Sequence, residues 1–261
     1  MIAVQRHRRI VEYVHGHGAG RVADLARAFD VTEETIRRDL RVLADQGALA
    51  RTHGGAVPID ADDARADLPY LRRDATNTAA KAAIARTALP LVAPGSIIAL
   101  DASSTAGQLA RQLPDEPLTV VTNCYVICAL LARRRNIEVV CTGGTLDAEA
   151  MAFTGLFARR TLQTFNIDTV FFSCRGIDLE RGFSESNEAH AAVKLAMIEA
   201  ARQRVLLADT TKLGVASKVF VGPVTLADRV IVERSEHEGV QARIARLRAL
   251  GIAVDEAAPS S

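Results

Sequence analysis

The sequence predicts an α/β protein in two parts, a small unit of three helices and a hairpin followed by a larger, doubly wound domain. Three observations carry this. Apolar residues recur at helical spacing in three short segments before residue 45, and a Gly-Gly turn follows them. From Ile97 onward, short and often β-branched apolar runs alternate with helical stretches, the pattern of a largely parallel sheet. Between the two lies Pro58 to Tyr70, an acidic segment bounded by prolines that reads as a linker. The 261 residues exceed the usual single-domain size of about 100–150, so one small and one large domain is the simplest partition. The expected boundaries are 1–58, a linker at 59–70, an α/β domain at 71–235, and a C-terminal helix and tail at 236–261.

In the small domain the first helix runs from Val4 to Val14, with Ile10, Val11 and Val14 on one side. Val22 to Phe29 forms the second, with Val22, Leu25, Ala26 and Phe29 inward, and Asp30-Val31 makes the tight turn into the third. Thr32 is an N-cap, with Glu33 and Glu34 in the first turn, where the helix dipole favours anions. Ile36, Leu40 and Leu43 fall at i, i+4 and i+7 and face inward. That leaves Glu34, Arg37, Arg38 and Arg41 on the outer side. Gly47 is the expected C-cap, and Leu49 to Val57 reads as two strands around Gly54-Gly55.

Three helices and a hairpin make a winged helix, with its helix-turn-helix at about residues 20–39. A solvated amphipathic helix would carry the same charges as the third helix. The two helices ahead of it favour a DNA reader instead, because a recognition helix presents its N-terminal half to the major groove and arginine forks onto guanine or phosphate. Thr35, Arg37, Arg38 and Arg41 are therefore the expected operator contacts. Arg51 and His53 would hold the backbone through the wing, and Asp39 would hold neighbouring basic side chains in place.

Arg6, Ile10, Val14, Thr32, Thr35, Ile36, Arg37, Arg38, Asp39 and Leu40 meet a signature of fixed spacing. On these positions the segment resembles the DeoR family of bacterial transcriptional repressors, and His53-Gly54-Gly55-Ala56 is similar to that family's wing. The resemblance implies binding to double-stranded operator DNA.

Composition narrows the rest. Apolar residues at 49% allow a sizeable core, while aromatics at 4% with no Trp leave no stacking platforms for single-stranded nucleic acid. The net charge is only +1, and residues 1–57 hold nine Arg against seven Asp plus Glu, a balance of +2. The clustering of Arg37, Arg38 and Arg41 on one face therefore matters more than total charge. No apolar run approaches the ~20 residues of a membrane span, and a cytoplasmic protein is expected. Cys124, Cys128, Cys141 and Cys174 lie in or beside apolar segments without metal-ligand spacing, and are expected to be buried free thiols. No metal or cofactor is expected. In a chain that uses arginine by default, the four lysines Lys81, Lys194, Lys212 and Lys218 stand out.

A helical segment from Leu71 to about Val92 carries Lys81 toward the second domain. Strands are expected at Ile97–Leu100, Leu118–Val121, Ile137–Cys141, Thr169–Phe172, Val205–Ala208 and Val230–Val232, with helices such as Ala106–Leu113, Tyr125–Arg134 and Glu188–Ala201 between them. Ligands of such sheets sit outside the carboxyl ends of the strands. There the sequence places Asp101 with Ser103, Ser104 and Thr105 opening a helix, a reasonable phosphate cradle. Thr122-Asn123, Gly143-Gly144, Arg175 with Asp178, and Asp209 with Lys212 follow the later strands. Singly, each has a structural explanation as a cap, a turn or a brace; together they suggest a polyol-phosphate site. Arg175 would either pair internally with Asp178 or Glu185, or clamp the ligand's anionic group.

These stretches, with Glu188-Ala189 and Lys194, are similar to the effector domain of the DeoR family, related in fold to ribose-5-phosphate isomerases and CoA transferases. The resemblance implies that a small phosphorylated sugar or related metabolite binds here and changes the grip on DNA. It adds Lys81, Glu185 and Lys194 to the candidate effector residues. Ala102-Ser103-Ser104-Thr105 stands where the family commonly has Ser-Gly-Thr-Thr. One rival reading is a sugar-phosphate isomerase, with Asp101, Asp178, Glu185 or Asp209 as base, but no lysine is followed by Gly as such enzymes require. Another makes the second domain an oligomerisation scaffold. Since one winged helix reads a half-site, the working unit is expected to be at least a dimer.

Overall fold

The computed structural model describes residues 3–17, 19–45, 49–52, 54–58 and 69–258. Gly47, His53 and most of the expected linker, residues 59–68, lie outside the described residues. By contacts the chain divides into two units, Met1–Ala66 with Ala75–Asn77, and Asp67–Asp74 with Thr78–Ser261.

In the first unit, helices α1 (Ala3–His17), α2 (Val22–Phe29) and α3 (Glu33–Asp45) pack around Ile10, Val14, Leu25, Ile36, Leu40 and Leu43, all essentially buried. The hairpin pairs β2 (Leu49–Thr52) with β3 (Gly55–Pro58). A two-residue strand that the periodicity does not reveal, β1 (Gly20–Arg21), adds to the outer edge of β3. Gly55 is required there, because a Cβ would lie 2.1 Å from the Gly20 carbonyl oxygen. The turn between α2 and α3 is made by Asp30, whose φ of 52° ends α2 with a left-handed residue.

The second unit is built on seven parallel strands in the order β15-β14-β12-β9-β4-β5-β6. These are β4 (Ile97–Leu100), β5 (Leu118–Thr122), β6 (Ile137–Cys141), β9 (Ile167–Phe172), β12 (Ala201–Ala208), β14 (Arg229–Glu233) and β15 (Ala253–Ala257). The helices are α4 (Tyr70–Ala75), α5 (Thr78–Ala88), α6 (Ser104–Gln112), α7 (Tyr125–Leu131), α8 (Gly155–Gln163), α9 (Glu188–Ala200) and α10 (Glu238–Ala249). Strand side chains alternate between two cores: Phe171 packs with Ile84, Leu109 and Ile127, while Phe172 packs with Leu162, Met197 and Leu247. Both faces are thus covered, as a doubly wound sheet demands. The chain moves outward from β4 to β6 and then returns to β9 on the other side of β4. Strand order therefore reverses between β4 and β9, the place where such sheets open a crevice at their carboxyl ends.

Three expectations need correction. The helix expected over Leu71–Val92 is broken into α4, α5 and a 3₁₀ turn at Leu89–Leu91, because Asn77 takes a φ of 50° and Pro90 enters the last turn. The C-terminal segment is not only helix and tail. Its β15 joins the sheet beside β14, which the polar Asp255 and Glu256 conceal from an apolar pattern. Small antiparallel pieces were also missed: β7 (Thr145–Asp147) with β8 (Ala152–Thr154), and β10 (Gly176–Asp178) with β11 (Gly182–Glu185) and β13 (Val219–Gly222). Their polar residues and glycines hide the alternation that marks longer strands.

Candidate nucleic-acid interface and strand-end site

The third helix begins as its sequence requires. Thr32 Oγ1 accepts the amide of Thr35 at 3.2 Å and lies 2.9 Å from Thr35 Oγ1. Arg37, Arg38 and Arg41 are exposed on the helix, and Arg51 is exposed on the hairpin. Arg37 is held in a defined pose by Glu33 at 2.6 Å and Glu34 at 3.6 Å. Behind this face Asp39 is buried and takes two hydrogen bonds from Arg6, at 2.6 and 3.1 Å, and one contact from His7 at 2.8 Å. The acidic residue thus ties α1 to the reading helix.

Burial alone would raise the Asp39 carboxyl, but the hydrogen bonds from Arg6 and His7 outweigh it and hold the group below its ordinary range. A depressed carboxyl contributes stability above the unfolded-state value of about 3.9, and that contribution is lost as pH falls through the folded value. Asp39→Asn is therefore expected to flatten the acid limb of the winged-helix unit's stability below about pH 4, in calorimetric scans of the full chain.

At the carboxyl edge of the large sheet, Asp101 is the centre. It is 2% exposed; its Oδ1 accepts the Ser103 amide at 3.2 Å and its Oδ2 the Ser173 amide at 3.0 Å. It thereby bridges the loops after β4 and β9, at the point of strand reversal. Lys194 of α9 donates to the same Oδ2 and lies 3.3 Å from Glu185. Burial disfavours the Lys194 ammonium, but Asp101 and then Glu185 more than offset it and raise its pKa. Ser103 caps α6 by accepting the Ala106 amide at 3.0 Å, and Ser104 and Thr105 are buried behind it.

Other candidates are placed differently. Thr122 is a brace: its hydroxyl donates to the Leu100 carbonyl at 2.6 Å and accepts the Cys124 amide at 3.0 Å. Asn123 donates from Nδ2 to the Phe153 carbonyl at 3.0 Å, which fixes its orientation and leaves its buried Oδ1 without a hydrogen-bond partner. Gly143 and Gly144 have φ of 64° and 110°, and a Cβ on Gly144 would meet the Thr154 carbonyl at 2.4 Å. Arg175 is buried, with its amide bonded to the Ser184 carbonyl at 2.9 Å. Asp178 does not join the Asp101 cluster. It closes the far end of the β10–β11 hairpin from Glu185, taking the amides of Glu180 and Arg181 at 2.9 and 2.8 Å.

Asp209 caps the turn Thr210–Lys212, accepting from the Thr211 amide at 3.1 Å and from the Thr211 hydroxyl. Lys81 is buried and donates to the Arg73 carbonyl. Burial pulls its ammonium down to about 8, against the pull of Asp209 and with the help of Lys212. Sequence reasoning missed the His190–Asp147 pair at 3.0 Å and Glu233, which holds Thr210. His190 precedes Lys194 by one helical turn, the spacing that could have exposed it. Cys124 and Cys174 are buried as expected, but Cys128, on α7, is half-buried, and Cys141 is exposed because its strand, β6, is an edge strand. No helix among the described residues is long and apolar enough to cross a membrane.

Two family models match the chain: the DeoR-like helix-turn-helix domain over residues 6–62, and the DeoR C terminal sensor domain over 76–234. The chain is 42% identical to the HTH-type transcriptional regulator YulB of Bacillus subtilis over 82% of each protein. It is 37% identical to the L-fucose operon activator of Haemophilus influenzae, over 90% of this chain and 94% of that one. Among solved structures, ribose 5-phosphate isomerase A of Methanocaldococcus jannaschii aligns with 51% of this chain and 53% of its own at 19% identity, with a TM-score of 0.38.

Proposed function

The chain belongs to the DeoR family of transcriptional regulators, and on that premise we propose that it controls an operon for carbohydrate or polyol use, its hold on the operator set by a phosphorylated sugar or related anionic metabolite. The observation that carries this reading is the carboxyl edge of the large sheet. Most buried polar side chains of that unit gather there, among them the cations Lys81, Arg175 and Lys194 and the carboxylates Asp101, Glu185 and Asp209. Cations and helix-start amides suit a phosphate, and carboxylates suit sugar hydroxyls. In this reading Lys81, Arg175, Lys212 and the Ser103-Ser104-Thr105 start of α6 take the anion. Asp101, Asn123, Glu185 and Asp209 take hydroxyls. Thr122 and the two glycines shape the walls, and Asp178, spent on its hairpin turn, is left out of the site.

We assign the domain no catalysis, since the relatives it matches over most of its length are named as regulators. Thr35, Arg37, Arg38, Arg41, Arg51 and His53 contact the operator, and the protein acts in the cytoplasm as at least a dimer on paired half-sites. The sequence reading favours repression, and the fucose relative is named an activator. A reporter strain lacking the gene decides the sign, through expression without inducer or its loss.

A quantitative gel shift on the adjacent intergenic DNA, repeated with a panel of sugar phosphates and with turnover followed in parallel, tests the whole reading. Specific binding that one sugar phosphate alters at least tenfold is expected. Sequence-independent binding, or conversion of the sugar phosphate, overturns it.

A further inference from the structure

Resting on the strand-end site as the effector site, we propose that α4 and the turn joining β7 to β8 form the coupler that carries effector occupancy to the linker and so to the winged helix. By contacts the α/β unit begins at Asp67, just ahead of α4, so Tyr70 is the first buried anchor of that unit after the linker sequence. Three separate parts of the site reach this short helix.

The first is the loop after β4. Arg73 donates to the Ala102 carbonyl at 3.3 Å, between Asp101 and Ser103, and its guanidinium lies over the Tyr70 ring at 5.4 Å. Asp74 holds Arg111 of α6, the helix that this loop opens, through two bonds at 3.1 and 2.8 Å.

The second is the loop after β5. The Phe153 amide donates to the Asn123 carbonyl at 2.7 Å, and the Tyr125 amide to the Met151 carbonyl at 2.9 Å. The β7–β8 turn thereby follows any movement of Asn123. It hands that movement on, because the Tyr70 amide donates to the Glu149 carbonyl at 2.8 Å.

The third is α9. His190, one turn ahead of Lys194, contacts Asp147 Oδ2 at 3.0 Å, while Asp147 Oδ1 gathers the amides of Glu149 and Ala150 at 3.1 and 3.0 Å.

Backbone strain sits on the same path. Among the described residues past α3, the non-glycine residues with positive φ are Asn77, just past α4, and Met151, in the β7–β8 turn. Asparagine tolerates the left-handed region, but methionine is held there only by its surroundings, a feature of switch elements. Tyr70 itself is fully buried, and its hydroxyl lies against Gly107 of α6 without a hydrogen-bond partner. A ligand that draws in Ala102 or Asn123 therefore shifts the seat of Tyr70.

The test titrates the full chain onto a labelled operator fragment, with and without a sugar phosphate. The probe is whichever of ribose 5-phosphate, fructose 6-phosphate and glycerol 3-phosphate moves the wild-type curve most. Arg73→Met keeps the side-chain stem and removes the donor to Ala102. It is expected to bind operator like wild type without the probe, and to bind the probe within threefold by calorimetry. The probe-induced shift in operator affinity should fall from at least tenfold to under threefold, a split between affinity and coupling that a purely structural role would not produce. A full shift in the variant overturns the coupler. If no probe acts on wild type, the effector reading fails, and hydrogen exchange judges the coupler separately. The Tyr70 and Phe153 amides should then exchange at least tenfold faster in Arg73→Met, with β12 and β14 unchanged, and wild-type rates at both amides overturn the proposal. Should the Met variant lose protection across β12 and β14, Arg73→Gln replaces it with the same expectations.

Discussion

The double change Arg37→Ala with Arg38→Ala is expected to abolish operator binding while the protein stays folded. Both side chains are exposed in the first half of α3 and stand outside the buried apolar cluster of that unit, so what their loss should remove is the proposed DNA contacts rather than packing. The ion pair of Arg37 with Glu33 has side chains about half exposed on each partner, and such i,i+4 pairs contribute only about 0.3–0.5 kcal/mol. Alanine, the best helix former, offsets part of that. On the DNA side, each arginine making a good base contact is worth roughly 1–3 kcal/mol, so the pair commands on the order of a thirtyfold to ten-thousandfold change in affinity. With a domain charge of only +2, nonspecific attraction cannot mask such a loss. Gel-shift titration alongside circular dichroism reads both halves of the prediction. Unchanged affinity in a folded variant would remove these arginines from the interface.

The winged helix was legible because its signals are local. Ile36, Leu40 and Leu43 lie on one stripe, Thr32 caps, and Asp30 breaks the preceding helix, all within a few residues of one another. The parallel strands were legible for a similar reason, since strands buried on both faces are nearly continuous apolar runs. What escaped depends on distant partners. Nothing near Asp255 or Glu256 announces β15, whose place is fixed by backbone pairing with β14. The roles within the strand-end loops were equally hidden. Asp101, Thr122 and Asp178 are all polar residues at strand ends, yet Asp101 bridges two loops to a lysine 93 positions away, Thr122 braces its own strand, and Asp178 closes a hairpin turn. Local sequence can mark a residue as polar and near a ligand edge, but only tertiary contacts decide which hydrogen-bonding capacity is already taken.

Lys194→Met is expected to destabilise the α/β unit by about 3–5 kcal/mol at neutral pH, because it strips two buried carboxylates of the cation that lies between them. Asp101 and Glu185 are each less than a tenth exposed, and Asp101 also fixes the amides of Ser103 and Ser173, so it cannot turn to water without breaking the strand-reversal point. Methionine fills much of the lysine's volume, which confines the effect to charge. For a domain of this size the loss corresponds to a fall in Tm of about 6–20 °C.

The pH dependence separates this account from mere misfit. In the wild type the raised Lys194 pKa gives a contribution that is complete below the unfolded value of about 10.4 and is lost as pH rises through the folded value. The variant lacks that contribution, so its deficit against wild type should be full at pH 7 and shrink as pH is raised above about 10.4. Urea unfolding of both proteins from pH 7 upward through that value measures it, and because Asp101 and Glu185 repel one another once the ammonium is gone, Glu185→Gln on the Lys194→Met background should recover part of the loss at pH 7. A deficit that is constant with pH and untouched by Glu185→Gln would show that Lys194 supports the site through packing, and not as the counter-charge of Asp101.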